Sequence, residues 1–203
     1  MKGIILLNGE PYRGEIDARD ALVYCADGAY DWAKGKVKID ENLGDFDSAR
    51  AMPVPPPKEI FPEQKNETDG EIALERMLSV AREKAISEIE IYGGGGGRED
   101  HFLGNLHLLY AACRRGVRAV MVTNYARIFA AEGSVELCGL QGKTVSIVPF
   151  GGPAHILESG GLYYPLPDTF VYGSTRGISN VVTAERAYFK TEGVVLVFVD
   201  ELI

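Results

Sequence analysis

Five aspartates stand where side chains could work together. Asp27 lies in Ala26-Asp27-Gly28-Ala29, and Asp45 and Asp47 lie in Gly44-Asp45-Phe46-Asp47-Ser48. Asp69 follows Thr68, and Asp100 comes soon after a run of five glycines (residues 93–97) and Arg98. In an extended segment, Asp45-x-Asp47 puts both carboxylates on one side, about 7 Å apart along the chain. Acidic turns of this kind, gathered at one edge of a sheet, make a strongly negative pocket. A hard cation stabilises such a pocket, and magnesium prefers carboxylate oxygens and usually brings phosphates with it. The glycine run supplies the complementary chemistry. A glycine turn between strand and helix frees backbone N–H groups for phosphate oxygens, and the helix N-terminus adds a favourable dipole. Arg98 can grip a phosphate with two hydrogen bonds. The run is neither a dinucleotide fingerprint nor a P-loop, because no Gly follows Arg98 and no Lys-Ser/Thr pair closes it.

Each segment also has a purely structural reading. Asp27-Gly28 is turn chemistry, and short Asp-x-Asp pairs occur in many surface loops. Thr68-x-x-Glu71 is a capping box, and Asp69 in a first helical turn favours the macrodipole without any other role. The glycine run could be a hinge, at a large cost in conformational entropy. His101 and His107 lack the i, i+4 spacing of a zinc helix. Three scattered cysteines, Cys25, Cys113 and Cys138, make neither a disulfide framework nor a zinc knuckle, and suit a reducing cytoplasm.

The elements that must position these residues read as two kinds. Residues 3–7, 21–25 and 119–123 are apolar runs of strand length, and 39–43 and 88–92 also read as strands. Helices are expected at 30–34, at 68–84 with Ile72, Ala73, Met77, Val80 and Ala81 inward, and at 99–115 with Phe102, Leu103, Leu106, Tyr110 and Cys113 inward. Pro53, Pro55, Pro56 and Pro57 demand an extended connection. This alternation implies crossovers and a mostly parallel α/β sheet, whose ligands bind outside the carboxyl ends of the strands. After about residue 125 only short β runs remain, at 128–131, 135–138, 144–148, 155–157, 170–172, 186–189 and 194–199. Gly, Pro and Asn punctuate them, the pattern of an antiparallel β-sandwich. The expected division is an α/β domain over 1–128 and a sandwich over 129–203. Residues 160–166 and 174–180 read as polar turns of that sandwich.

The 203-residue chain carries a net charge of -8. Residues 1–100 hold 21 acids and 13 bases, and residues 101–203 hold 8 of each, so the whole excess lies in the first half. That balance disfavours a nucleic-acid partner and suits a cation site. No apolar run reaches the roughly 18 residues needed to cross a bilayer. The start lacks the apolar core of a signal peptide. A cytoplasmic protein with no membrane partner is expected.

In order along the chain, these segments resemble the thiamine pyrophosphokinases of bacterial type. Ala26-Asp27-Gly28-Ala29 is similar to the family's first acidic turn, and Gly44-Asp45-Phe46-Asp47-Ser48 matches G-D-[FL]-D-S. Lys65-Asn66-Glu67-Thr68-Asp69 resembles K-D-x-T-D, with Asn66 in place of the usual Asp. Gly96-Gly97-Arg98-Glu99-Asp100-His101 matches G-G-R-x-D-[HQ]. Gly161-Leu162-Tyr163-Tyr164-Pro165-Leu166 and Ser174-Thr175-Arg176-Gly177-Ile178-Ser179-Asn180 resemble two acceptor-site loops.

The resemblance implies a Rossmann-like α/β domain followed by a β-sandwich. It implies magnesium-dependent transfer of pyrophosphate from ATP to thiamine, giving thiamine diphosphate and AMP. It also implies a homodimer, with thiamine between the α/β domain of one subunit and the sandwich of the other. Carried over, Asp45, Asp47 and Asp69 hold magnesium and join Arg98 and Asp100 in the catalytic set. Asp27, Lys65, Thr68, Gly94, Gly95, Gly96, Gly97 and Arg98 bind the nucleotide. Tyr164 stacks on thiamine, and Ser179 and Asn180 hydrogen-bond its pyrimidine. Two other readings stay open, a diphosphotransferase of the same architecture acting on another alcohol and a nucleotide-binding regulatory module without turnover. Tyr164, Ser179 and Asn180 bear on the first, and the intact acidic set on the second.

Overall fold

A computed structural model describes residues 1–44, 53–60 and 66–201. The chain forms two compact units, Met1–Asn124 and Tyr125–Leu202. In the first, β1 (Lys2–Leu6), β2 (Ala21–Ala26), β3 (Glu41–Leu43), β4 (Glu88–Tyr92) and β5 (Arg118–Val122) pair side by side, all parallel. Their order is β5-β4-β1-β2-β3. This is the 3-2-1-4-5 order of doubly wound sheets, in which the winding reverses between β1 and β4. β1, β2 and β5 are largely apolar because both faces are covered, whereas β4 alternates and buries Glu90 against Lys2 and the Tyr92 hydroxyl. Ile4, Ile5, Ile89 and Ile91 are fully buried.

Helix α1 (Tyr30–Ala33) is short, and α2 (Asp69–Ala81) and α3 (Glu99–Arg114) follow β3 and β4. Thr68 caps α2, its Oγ1 accepting a hydrogen bond from Glu71 N at 3.2 Å, and the helix buries Ala73, Leu74, Met77 and Ala81. Helix α3 ends at Gly116 as expected, but its buried face is Leu106, Leu108, Leu109 and Ala112, not the set expected from spacing. Leu103 is exposed and Phe102 only half-buried. Apolar residues occur on more than one side of the helix, so periodicity left its phase open and packing chose it. Buried Glu41 on β3 pairs with Arg76 of α2 and with Lys58, and Asn42 Nδ2 donates to Pro55 O at 2.7 Å. These contacts tie the proline segment to the edge of the sheet.

The second unit is antiparallel throughout. It contains β6 (Ala126–Cys138), β7 (Thr144–Pro149), β8 (Ala154–Gly160), β9 (Thr169–Phe170), β10 (Asn180–Val181) and β11 (Arg186–Asp200). β11 lies along β6 for its whole length. On its other edge it pairs with β8 over Tyr188–Glu192 and with β7 over Val195–Val199. The core gathers Val145, Ile147, Phe170, Phe189 and Val197. Runs 128–131 and 135–138 thus belong to one strand, as do 186–189 and 194–199. The glycines that suggested turns sit at a bulge instead. Glu192, Gly193 and Val194 oppose Glu132 alone, between the pairs Thr191↔Gly133 and Val195↔Ala131. Bulges take glycines at positive φ, and Gly133 and Gly193 have φ of 87° and 88°.

The two glycines differ in their surroundings. A Cβ on Gly193 would lie 2.6 Å from Pro153 O, whereas one on Gly133 would meet nothing within 4 Å. Gly133→Ala should therefore lose only the left-handed backbone penalty, about 1–2 kcal/mol. Gly193→Ala should lose distinctly more, as read by urea unfolding. Equal losses would show that the approach to Pro153 is unimportant.

Candidate active site

The site lies where the winding reverses. Pairing between β1 and β4 continues beyond the strand ends as Leu7 N donates to Tyr92 O (2.8 Å), Gly9 N to Gly93 O (2.8 Å) and Glu10 N to Gly95 O (2.6 Å). Two loops are thereby stitched together at the carboxyl edge, and a cleft of about 550 Å³ opens above them. Leu7, Asn8, Gly9, Glu10 and Ala26 line one side. Thr68, Asp69 and Gly70 at the start of α2, with Arg98, His101 and Asn105 of α3, line the other. Gly94, Gly96 and Gly97 complete it. The N-terminal dipole of α2 thus acts on a space that backbone glycines border.

The first four glycines of the run are closely packed, and Gly97 has open space around it. Gly93, Gly94 and Gly95 are buried. A Cβ on Gly93 would sit 2.2 Å from Leu7 O, and one on Gly96 would sit 2.5 Å from Glu10 Cβ. Asn105 Nδ2 donates to Gly94 O at 2.8 Å, so α3 holds the turn from the far side. Gly95 packs against Thr123 and is absent from the cleft lining.

The acidic residues divide among several places. Asp69, half-buried in the first turn of α2, faces the cleft. Asp27 is buried at the end of β2, where its Oδ1 accepts from Gly28 N at 2.6 Å and its Cβ abuts Gly44. Asp100 lies in a neighbouring groove between α2 and α3, and Arg98 Nη2 and Nε reach it at 2.6 and 3.1 Å. This two-pronged contact holds the Asp100 carboxyl down at about 2, and Arg98 is shifted upward in return. Asp45, Asp47 and Lys65 lie outside the described residues. Among the described residues, no three His, Cys, Asp or Glu side chains gather as a metal cage.

A second pocket, of about 430 Å³, lies wholly within the second unit. Tyr164, Pro165 and Leu166 border one side, with Arg176, Gly177, Ile178 and Asn180 opposite. Tyr163 and Tyr164 are both exposed, their rings edge to face with centroids 4.8 Å apart. Buried Asn180 engages the backbone: Oδ1 accepts from Tyr164 N (3.0 Å) and Val181 N (2.9 Å), and Nδ2 donates to Tyr164 O (2.8 Å). It therefore holds the main chain of Tyr164 in place. Ser179 sits beside it at φ 57°, with its N–H donating to Ser146 Oγ at 3.0 Å.

Family models match both units. Residues 15–121 match the catalytic domain of thiamin pyrophosphokinase, and residues 134–196 match its vitamin B1 binding domain. The thiamine pyrophosphokinase of Bacillus subtilis is 31% identical over 169 residues, spanning 78% of this chain and 77% of its own. The chain belongs to the thiamin pyrophosphokinase family. Its fold is that of the family's solved structures. The Bacillus subtilis crystal structure superposes with a TM-score of 0.82 at 26% identity, each chain covered in full. The Candida albicans structure shares the fold at 16% identity, with a TM-score of 0.72 over 98% of this chain and 88% of its own.

As a thiamin pyrophosphokinase family member, the chain carries Asp27, Asp69, the glycine turn, Arg98 and Asp100 in the stretch matched as catalytic. Tyr164, Ser179 and Asn180 fall in the stretch matched as B1-binding. Sequence reasoning missed Asn8, Glu10 and Asn105 as cleft residues. The first two precede the matched region, yet the rule that ligands sit at strand carboxyl ends applies to the loop after β1 as well as to the others. Helix phase alone left Asn105 unmarked.

The Arg98–Asp100 pair makes a pH prediction. Asp100 should titrate near 2 by carbon NMR, and Arg98→Met should return it toward 3.8. Because its folded-state value is depressed, any stabilisation from the pair is complete above the ordinary carboxylate range and disappears as pH falls toward 2. An Asp100 resonance unmoved by the substitution would mean that the pair does not form in solution.

Proposed function

We propose that this chain is a magnesium-dependent thiamine pyrophosphokinase, transferring pyrophosphate from ATP to the hydroxyl of thiamine and releasing AMP. The observation that carries this is the cleft at the β1–β4 switch point, where glycine backbone, Arg98, Asp69 and a helix N-terminus converge in a chain of this family. Such a site suits a polyphosphate, since transfer of phosphoryl-type groups depends mainly on positioning and charge neutralisation.

The thiamine oxygen attacks the β-phosphorus, its proton passes to a carboxylate, and the bond to the AMP oxygen breaks. Gly94, Gly96, Gly97 and the start of α2 orient the phosphates, with Gly95 and Thr68 holding the geometry of turn and cap. Arg98 exchanges its Asp100 contact for a phosphate, which leaves Asp100 beside the reacting groups. Asp69 is a carboxylate at the cleft and fits a hard cation. It would share magnesium with Asp45 and Asp47, and Lys65 would reach the phosphates. Bound magnesium supplies charge neutralisation on the phosphate oxygens. Asp27 shapes the nucleotide side. In the acceptor pocket, the exposed Tyr164 ring stacks on the cationic thiazolium. Ser179 faces the pyrimidine, and Asn180 serves chiefly by fixing Tyr164.

The same reading makes the second unit a β-sandwich folded about the β11 bulge. It makes the protein a homodimer whose thiamine lies between the cleft of one subunit and the Tyr164 pocket of the other. The domains would run 1–128 for catalysis and 129–203 for thiamine binding and dimerisation. The exposed Tyr163, Val171, Tyr172 and Ile178 support an apolar contact there. Among the described residues no helix is long and apolar enough to cross a membrane, and a cytoplasmic location fits the free thiols.

Incubation with ATP, magnesium and thiamine should give equal amounts of AMP and thiamine diphosphate. Folded protein that makes neither would refute the assignment. Tyr164→Ala should raise the KM for thiamine about tenfold and leave that for ATP nearly unchanged. An equal rise in both would remove the stacking role. Asp47→Asn should lower kcat by roughly a hundredfold or more with the fold intact. Near-normal turnover at limiting magnesium would take Asp47 out of the metal site.

A further inference from the structure

Glu10 stands over the glycine turn in a way the phosphate chemistry does not require. Its loop is fixed from several directions. Glu10 N donates to Gly95 O, Arg13 N to Asn124 Oδ1 (2.8 Å), Asn124 Nδ2 to Pro11 O (3.1 Å) and Lys36 Nζ to Tyr12 O (2.6 Å). The side chain follows from this anchoring. Oε1 accepts from Arg13 Nη2 at 2.6 Å, while Oε2 is turned toward Gly96, 3.2 Å from where its Cβ would be. Only a glycine at 96 leaves room for it. A carboxylate in this place repels a phosphate. With Arg13 already on one oxygen it is also a weakened metal ligand. It suits acceptance of a hydrogen bond from a neutral hydroxyl, since a carboxylate oxygen takes more than one donor.

ATP offers such a hydroxyl at one end only. On the reading of this cleft as an ATP site, the reacting phosphates lie toward Asp69, Arg98 and the start of α2. The nucleoside must then leave the glycine turn on the opposite side, along Asn8 and Glu10. We propose that Glu10 is a specificity-determining residue whose carboxylate accepts a hydrogen bond from a ribose hydroxyl, so that the enzyme selects ribonucleotides. Arg13 orients that carboxylate and moderates its charge.

The test is equilibrium binding by calorimetry, with magnesium and without thiamine, of ATP, 2′-deoxyATP and 3′-deoxyATP to the full chain. Wild-type protein should bind ATP about tenfold or more tightly than at least one deoxy analogue, the usual effect of a hydrogen bond to a charged group. Glu10→Ala should weaken ATP to the level of that analogue and leave the analogue itself unchanged. The side chain makes none of the backbone stitches, so the fold should survive. Glu10→Gln keeps a carbonyl acceptor and should keep part of the preference. Equal affinities in the wild type, or a preference that persists in Glu10→Ala, would overturn the assignment. So would a raised magnesium requirement in Glu10→Ala with ribose preference intact, since that makes Glu10 a metal ligand. Binding needs no turnover. A chain that binds ATP but makes no thiamine diphosphate refutes the pyrophosphokinase reading while the three affinities still decide the role of Glu10. A chain that binds no ATP refutes both.

Discussion

Backbone groups of the loops after β1 and β4 approach each other so closely that side chains cannot fit between them. Leu7, Gly9 and Glu10 donate to the carbonyls of Tyr92, Gly93 and Gly95, and a Cβ on Gly9 would lie 2.5 Å from Gly93 O and Gly95 O. Parallel pairing normally ends where strands diverge toward their helices. Here it persists past the winding reversal, and the glycines are what allow it. The consequences spread outward. The turn is closely packed from Gly93 to Gly96. Glu10 is held above it and Asn105 below it. The starts of α2 and α3 open onto the same edge, bringing Asp69 and Arg98 to one cleft. A flexible run of five glycines would lose much entropy on binding a ligand. This packed one loses most of it on folding.

The first unit was largely legible because its physics is local. β1, β2 and β5 read as apolar runs, Thr68 and Glu71 announce a helix start, and Gly116 announces a stop. The second unit was legible in kind but not in connectivity. Gly133 and Gly193 look like turn residues in sequence, and only the pairing of β6 with β11, whose register shifts between Thr191 and Val195, makes the place a bulge. That is a long-range fact, invisible to any local window. The phase of α3 was hidden for a different reason. With Phe102, Leu103, Leu106, Leu108, Leu109 and Tyr110 all apolar, the sheet decides which of them are buried.

The site was legible to the extent that its residues are chemically conspicuous. Aspartates, an arginine and a glycine run attract notice, whereas Asn8 and Asn105 do not, and Asn180 attracts it for a contact with thiamine. Its amide also holds the backbone of Tyr164 and Val181, a role that depends on a neighbour sixteen residues away. The acidic balance likewise proves a mixed signal. Much of it is structural: Glu41 is neutralised by Arg76 and Lys58, Glu90 by Lys2 and Glu75 by Arg115. The proposed function calls on only a few carboxylates near the cleft.

The two pockets are therefore prepared by different means. In the first, main chain holds main chain across the two loops, and the amides of Asn105 and Asn124 brace it. In the second, one buried side chain holds the frame. Asn180 satisfies three backbone groups around an exposed tyrosine, and Ser179 beside it adopts a left-handed conformation that a serine rarely takes. Backbone strain of this kind persists only where surrounding bonds over-determine it, here the Ser146 hydroxyl on one side and the Asn180 amide on the other. In the stacking role proposed for Tyr164, a face of the ring must stay open. The ring cannot be buried for rigidity without losing its face. Fixing its backbone from beneath leaves the ring exposed and yet restricts where it can go.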